Sequence, residues 1–147
     1  MLRRTSAMLL AVASLFGAGV AMAAPAQAYN CTWDNVCLHS DSDFNGLVRD
    51  DFSSRPNWSQ ITYYGGQPAV YQGDYHPDNV SSINNMDPDS RVSVFYNSGY
   101  AGPCFKIADY GRVKNMASIY ITSTKQANDN MNSHRFGDSC LGSTYNF

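Results

Sequence analysis

The run Val36-Cys37-Leu38-His39-Ser40-Asp41-Ser42-Asp43-Phe44-Asn45-Gly46 returns 56 positions later as Val92-Ser93-Val94-Phe95-Tyr96-Asn97-Ser98-Gly99-Tyr100-Ala101-Gly102. Each copy is a short β-prone stretch, a polar turn, then aromatic-x-Gly. Downstream of each lies a second matching pair, Asp78-Asn79-Val80-Ser81-Ser82-Ile83 and Lys114-Asn115-Met116-Ala117-Ser118-Ile119. Gly46 and Ser82 are 36 residues apart and Gly102 and Ser118 are 16, so the first unit carries about twenty extra residues.

Physically, such a unit is a folded-over hairpin. The aromatic ring covers the turn, the glycine supplies backbone angles that a side chain would forbid, and the later serine ties the turn down. Two such units make a sandwich. Val92, Val94 and Tyr96 fall on one face at period two, and Ile119 and Ile121 share a face if 118–122 is a strand. Composition agrees. All twelve acids of the chain are Asp, and beyond residue 28 Leu occurs only at 38, 47 and 141, while Asn, Ser, Gly and Tyr are abundant. Residues of this kind favour turns and strands over long helices.

The pattern of strand, aromatic-x-Gly corner and closing Ser-Ser or Ala-Ser, present twice over most of residues 31–122, resembles the βγ-crystallin Greek-key pair. The resemblance implies an all-β, βγ-crystallin-like β-sandwich of two Greek-key motifs. Key one covers about 31–90 with an inserted hairpin at about 53–76, key two about 91–122, and 123–147 forms a polar tail.

The opening Cys-x5-Cys-Leu followed by a Phe-x-Gly corner is similar to the secreted bacterial peptidase inhibitors of this superfamily, whose best-known members block metalloproteinases. That likeness implies an extracellular protease as partner. Inhibitors of this kind present a rigid loop clamped by a short disulfide in the latter half, but Cys104 has no cysteine close by. The inserted segment could replace the loop, because Gly65-Gly66 between β-prone runs signals a hairpin. Its Trp58, Tyr63, Tyr64 and Tyr71 are candidate partner-binding residues, or else pack the hairpin onto the sandwich edge. The alternative function is an extracellular binding or structural module for calcium, a cell-wall component or a carbohydrate. The fold's closing motif can hold calcium, and Asp78 with Ser81 is the weak candidate site. Lys114 and Ala117 spoil the equivalent place in the second unit. No other cofactor is expected.

Residues 1–28 read as a signal peptide: basic at Arg3-Arg4, apolar from Ala7 to Ala23, and ending in Ala26-Gln27-Ala28. The mature chain then starts near Tyr29, keeps 8 of the 10 basic residues and all 12 acids, and carries a net charge of −4. A nucleic-acid partner needs a basic surface and is excluded. A secreted monomer with no membrane attachment after cleavage is expected. Export also pairs the four cysteines. Of three possible connectivities, the close spacing favours Cys31–Cys37, which leaves Cys104–Cys140. Loop-closure entropy gives upper values of about 2.4 and about 3.8 kcal/mol for the two.

Catalysis has little to work with. His39, His76 and His134 lack metal spacing, the thiols are committed, and neither a nucleophile elbow nor a phosphate loop occurs. Asp41/Asp43 and Asp50/Asp51 read as solvated turn acids, and the chain reads as a non-enzyme.

Overall fold

A computed structural model describes residues 31–145, so the signal peptide at 1–28 and the expected start near Tyr29 lie outside the described residues. Eight strands form two sheets: β1 (Val36–His39), β2 (Val48–Asp51), β3 (Ser82–Asn85), β4 (Val92–Asn97), β5 (Ala101–Ile107), β6 (Arg112–Val113), β7 (Ser133–Phe136) and β8 (Thr144–Tyr145). The sheet orders are β2-β1-β3-β6 and β7-β4-β5-β8. All pairings are antiparallel except the short β5–β8 pair. The sheets exchange segments. β6 leaves β5 and crosses to pair Val113 with Ile83 in the other sheet, while Arg55, from between β2 and β3, pairs with His134 on β7. Neither Greek key is complete without the other.

The repeated corners are built as the sequence implies. Gly46 and Gly102 have φ of +76° and +80°, and a Cβ would lie 2.3 Å from Ser40 Oγ at the first and 2.7 Å from Asn97 Nδ2 at the second. Phe44 and Tyr100 share φ +61° and fold edge-on against His39 and Phe95, with ring centroids 5.7 and 6.0 Å apart. At the first corner, Phe44 N donates to Ser82 Oγ (3.0 Å), which itself donates to Asp41 O (2.6 Å).

The second closing serine is Ser133 rather than Ser118. Tyr100 N donates to Ser133 Oγ (3.2 Å), and that hydroxyl donates to Asn97 O (2.7 Å), reproducing the first corner. The expected strand over 118–122 is absent: Met116–Ser118 is a 3₁₀ turn and Ser118 is an exposed residue donating to Asn115 O. The cause is local. Asn115 Oδ1 accepts from Ala117 N (2.8 Å) and winds the turn, as Asn57 Oδ1 does with Ser59 N (2.9 Å) ahead of Trp58. Ile119 is still buried and Ile121 packs against the core. Key two therefore runs past 122 to β7, and 123–145 is no polar tail, since Ala127, Met131, Ser133 and His134 are buried and β8 follows.

The core lies between the sheets, with Val36, Leu38 and Ile83 from one and Val92, Val94, Phe105 and Ile107 from the other. Met116, Ile119, Trp58 and Tyr63 cap it from the connections. The segment 53–76 turns at Gly65 and Gly66 (φ +75° and +71°), with Thr62 bridging Ala69. Arg55 and Trp58, however, belong to the sandwich, so only part of it is an insertion. Both disulfides form as the spacing suggests, with Cα–Cα distances of 5.8 Å for Cys31–Cys37 and 6.0 Å for Cys104–Cys140.

A polar pin crosses the core. Trp58 Nε1 donates to His134 Nδ1 (2.9 Å), so Nε2 carries the proton and faces Ser53 O at 3.1 Å. Beside it, Asp51 is only 1% exposed and meets Arg49 (2.9 Å) and Arg55 (2.7 Å). Burial lowers the His134 pKa from 6.5 to about 4; the Asp51 charge and the Ser53 bond raise it, and the two arginines lower it further.

Two outcomes follow from these assignments. Ser133→Ala removes both hydrogen bonds that the buried hydroxyl makes at the second corner, to Tyr100 N and Asn97 O, and urea unfolding should show a loss of about 2 kcal/mol, whereas Ser118→Ala should stay within about 0.5 kcal/mol. The native state holds His134 neutral, so its contribution is complete above pH 6.5 and is lost as the pH falls from 6.5 towards 4. The shift corresponds to about 3 kcal/mol, and His39, lowered to about 4 by burial, acts in the same direction. His134→Gln should lower stability at neutral pH and flatten this acid limb.

Candidate functional site

With Ser133 paired to Ser82, the closing motifs align as Asp78-Asn79-Val80-Ser81-Ser82 and Asp129-Asn130-Met131-Asn132-Ser133, an offset of 51. The fold lays them side by side. Asp129 N donates to Val80 O (3.2 Å), and Ser81 Oγ donates to Asp129 Oδ1 (2.9 Å). Asn79 then organises the ends of both segments. Its Nδ2 donates to Gly73 O (2.6 Å) and Asp129 O (2.8 Å), and its Oδ1 accepts from Gln72 N (2.8 Å). Tyr75 N also donates to Asp129 O (3.0 Å). Asp129 itself turns through φ +59°, an angle that Asp tolerates better than most side chains.

The junction is rich in oxygen. Asn128 Nδ2 donates to Asp129 Oδ2 (2.6 Å), which leaves Asn128 Oδ1 buried without a hydrogen-bond partner; Asn130 Oδ1 and the Tyr63 hydroxyl are in the same condition. Burial pushes the Asp129 carboxyl above its ordinary value and the Asp41 charge adds to this, against hydrogen bonds from Ser81 and Asn128 and the charge of His76. Burial raises the Tyr63 hydroxyl as well, followed by the charges of Asp129, Asp78 and Asp41. Carboxylates from three separate turns therefore act on one buried phenol.

The sequence candidates are placed unevenly. Asp78 is exposed, its N–H donating to His76 Nδ1 (3.3 Å), and Ser81 bonds to Asp129 instead of to it. Lys114 and Ala117 lie on the 3₁₀ connection, outside the closing motif, so they spoil nothing. The second motif has Asn132 at the position of Ser81, and Asn132 Oδ1 accepts from Trp58 N (3.1 Å). Of the aromatic candidates, Trp58 and Tyr63 are core residues at 0% and 1% exposure and cannot meet a partner in the folded protein. Their side chains fill the gap that the connection would otherwise leave beside the sandwich. Tyr64 is exposed, with its hydroxyl donating to Asp50 O (3.4 Å), and Tyr71 is half-buried.

Tyr71 belongs to a network that the sequence did not disclose. Its hydroxyl donates to Asp74 Oδ1 (2.6 Å), while Tyr96 Oη and Lys125 Nζ (2.7 Å) converge on Asp74 Oδ2. Lys125 also bonds Tyr96 Oη (2.7 Å) and sits over the Tyr96 and Tyr75 rings. Burial pushes the Asp74 carboxyl up, but the hydrogen bonds from Lys125, Tyr71 and Tyr96 outweigh it and hold the group below its ordinary value. This network braces the loop preceding Asn79 against β4. Tyr96 and Lys125 stand 22 and 51 residues from Asp74, so no spacing marks the network in advance.

Among the described residues, no group of three His, Cys, Asp or Glu side chains converges as a metal site would. A cation at the junction would therefore need hydroxyl, amide and main-chain oxygens to complete its shell. Such a donor set suits a hard ion and does not suit a thiophilic one.

No family model and no curated protein matches the chain. Solved structures do. One, from work on the evolution of the eye-lens βγ-crystallin domain fold, superimposes with a TM-score of 0.55 at 16% identity, covering 74% of this chain and 90% of that one. A βγ-crystallin from Ciona intestinalis gives 0.49 at 22% identity over 69% and 98% of the two chains. The N-terminal domain of protein S gives 0.48 at 17% identity over 73% and 99%. The fold is thus a βγ-crystallin-like sandwich.

Ser81→Ala should push the Asp129 carboxyl further up, visible in an NMR pH titration, and should cost about 1.5 kcal/mol, as expected for a bond to a charged, partly buried acceptor.

Proposed function

We propose that the chain is a non-catalytic extracellular module whose closing motifs bind a hard divalent cation, calcium before magnesium. The observation that carries this is the Ser81–Asp129 contact, which joins the two motifs beside a buried amide oxygen, Asn128 Oδ1, that has no partner. Asp129, Ser81 and Asp41 would hold the ion together with main-chain carbonyls. Calcium tolerates such irregular shells of six to eight oxygens, while magnesium demands a stricter octahedron. The bound ion would neutralise the mutual repulsion of Asp41 and Asp129 and stiffen the junction between the Greek keys. Two disulfides and the leader-like start support an oxidising, extracellular setting, and among the described residues no helix is long and apolar enough to cross a membrane.

Inhibition of an extracellular metalloprotease, the reading suggested by the Cys-x5-Cys-Leu opening, loses support through the placement of Trp58 and Tyr63 in the core. Cell-wall or carbohydrate binding has no observation of its own.

Calorimetric titration of the oxidised mature protein with calcium chloride should show binding in the roughly 10⁻⁴–10⁻³ M range of extracellular modules, with a rise in melting temperature. Asp129→Asn should weaken it at least tenfold and leave the fold intact by circular dichroism. Absence of any calcium heat or thermal shift in the wild-type protein would defeat the reading.

A further inference from the structure

The two corners differ at the middle residue of aromatic-x-Gly, which is Asn45 in the first and Ala101 in the second. Asn45-Gly46 is the single Asn-Gly pair in the chain. We propose that Asn45 is a site of spontaneous backbone rearrangement, and that its conversion loosens the first Greek key while sparing the second.

Three features favour the reaction. Asn45 and Gly46 are both exposed. Gly46 has no side chain to obstruct approach to its nitrogen, and among the described residues its N–H donates no hydrogen bond. Among the described residues, the Asn45 side-chain amide is held only by donation to Ser42 O (3.2 Å) and Asp43 O (3.3 Å), both exposed contacts that solvent can replace.

The chemistry needs only water. The Gly46 nitrogen gives its proton to solvent base and attacks Asn45 Cγ. The new N–Cγ bond closes a five-membered imide, the Cγ–Nδ2 bond breaks, and Nδ2 leaves as ammonia. Water then opens the imide. Addition at the side-chain carbonyl gives aspartate at position 45; addition at the main-chain carbonyl gives isoaspartate, in which the backbone runs through Cβ. The step is intramolecular, which is why proximity alone can drive it.

Either product strains this corner. A carboxylate cannot donate to Ser42 O or Asp43 O, and it stands beside the exposed acids Asp41 and Asp43. The isoaspartyl product also lengthens the backbone by one carbon next to Gly46, a residue packed so closely that even a Cβ on it would meet Ser40 and Asp41. The bonds at risk are Asp41 N to Asn45 O (3.2 Å), Leu47 N to Ser40 Oγ (2.9 Å) and Phe44 N to Ser82 Oγ (3.0 Å). Tyr100 and Ser133 hold the second corner independently of all three.

The test incubates the folded, oxidised protein without added metal at mildly alkaline pH, then applies peptide mapping by mass and enzymatic isoaspartate detection. Conversion at Asn45 should run several-fold ahead of Asn97 and Asn132, each followed by serine. The converted fraction, separated by anion exchange, should exchange the amides of Phe44 and Leu47 faster than unconverted protein, with Tyr100 unchanged. Asn45→Ala copies the second corner and should neither convert nor loosen. The proposal is overturned if folded protein resists conversion while denaturant-unfolded chain converts, if another asparagine leads, or if converted protein exchanges as before.

Discussion

A single serine hydroxyl, used twice, is what permits the corners to exist. Phe44 and Tyr100 both adopt a left-handed backbone, a conformation unfavourable for a bulky aromatic residue. Each is held there because its N–H and a carbonyl three residues earlier meet the same buried hydroxyl, Ser82 Oγ or Ser133 Oγ. With the corner folded over, the ring meets His39 or Phe95 edge-on and covers that side chain. Glycine at 46 and 102 then lets the chain return close to the turn it has just made. The closing serines arrive from later segments, β3 and β7, so each corner is completed only when its whole Greek key has assembled.

Much of this was legible in the residues. The 56-residue repeat, the alternation in 92–96 and the cysteine spacing gave the architecture, both corners and both disulfides. What misled was Asn115-Met116-Ala117-Ser118, which has a closing motif's composition but spends its asparagine on capping a 3₁₀ turn. The true motif was obscured because β7 buries Ser133 and His134, polar residues that earn their place through specific hydrogen bonds rather than apolar alternation. Without β7, Asp129 could not be paired with Ser81, and Asp78 stood in for it. Trp58 and Tyr63 carry a related lesson: an aromatic residue in a Gly- and Tyr-rich connection can serve equally as core or as contact surface, and only the packing decides.

The polar pin through the core serves specificity more than stability. Burying Asp51 with two arginines beside a neutral histidine gains little over an apolar filling of the same volume. It does require Arg55 to sit opposite His134 and Trp58 to reach across to it, so a one-residue slip of the exchanged segment would strand several polar groups at once. The register of the exchange is therefore defined electrostatically where hydrophobic patterning is weakest.

The Cys104–Cys140 bond has a mechanical meaning. It joins β5 to the stretch after β7, so the span it closes includes β6, the strand lent to the opposite sheet. Under tension applied through the two ends of the chain, the 36-residue separation between these cysteines is withheld from extension. At the length of a stretched residue this removes about 120 Å from the contour that pulling can release. Force passes from β5 directly to the segment beyond β7 and bypasses β6, Met116, Ile119 and His134. The covalent bridge is thus a load-bypass around the exchanged strand, and only reduction would place that strand in the path of the force.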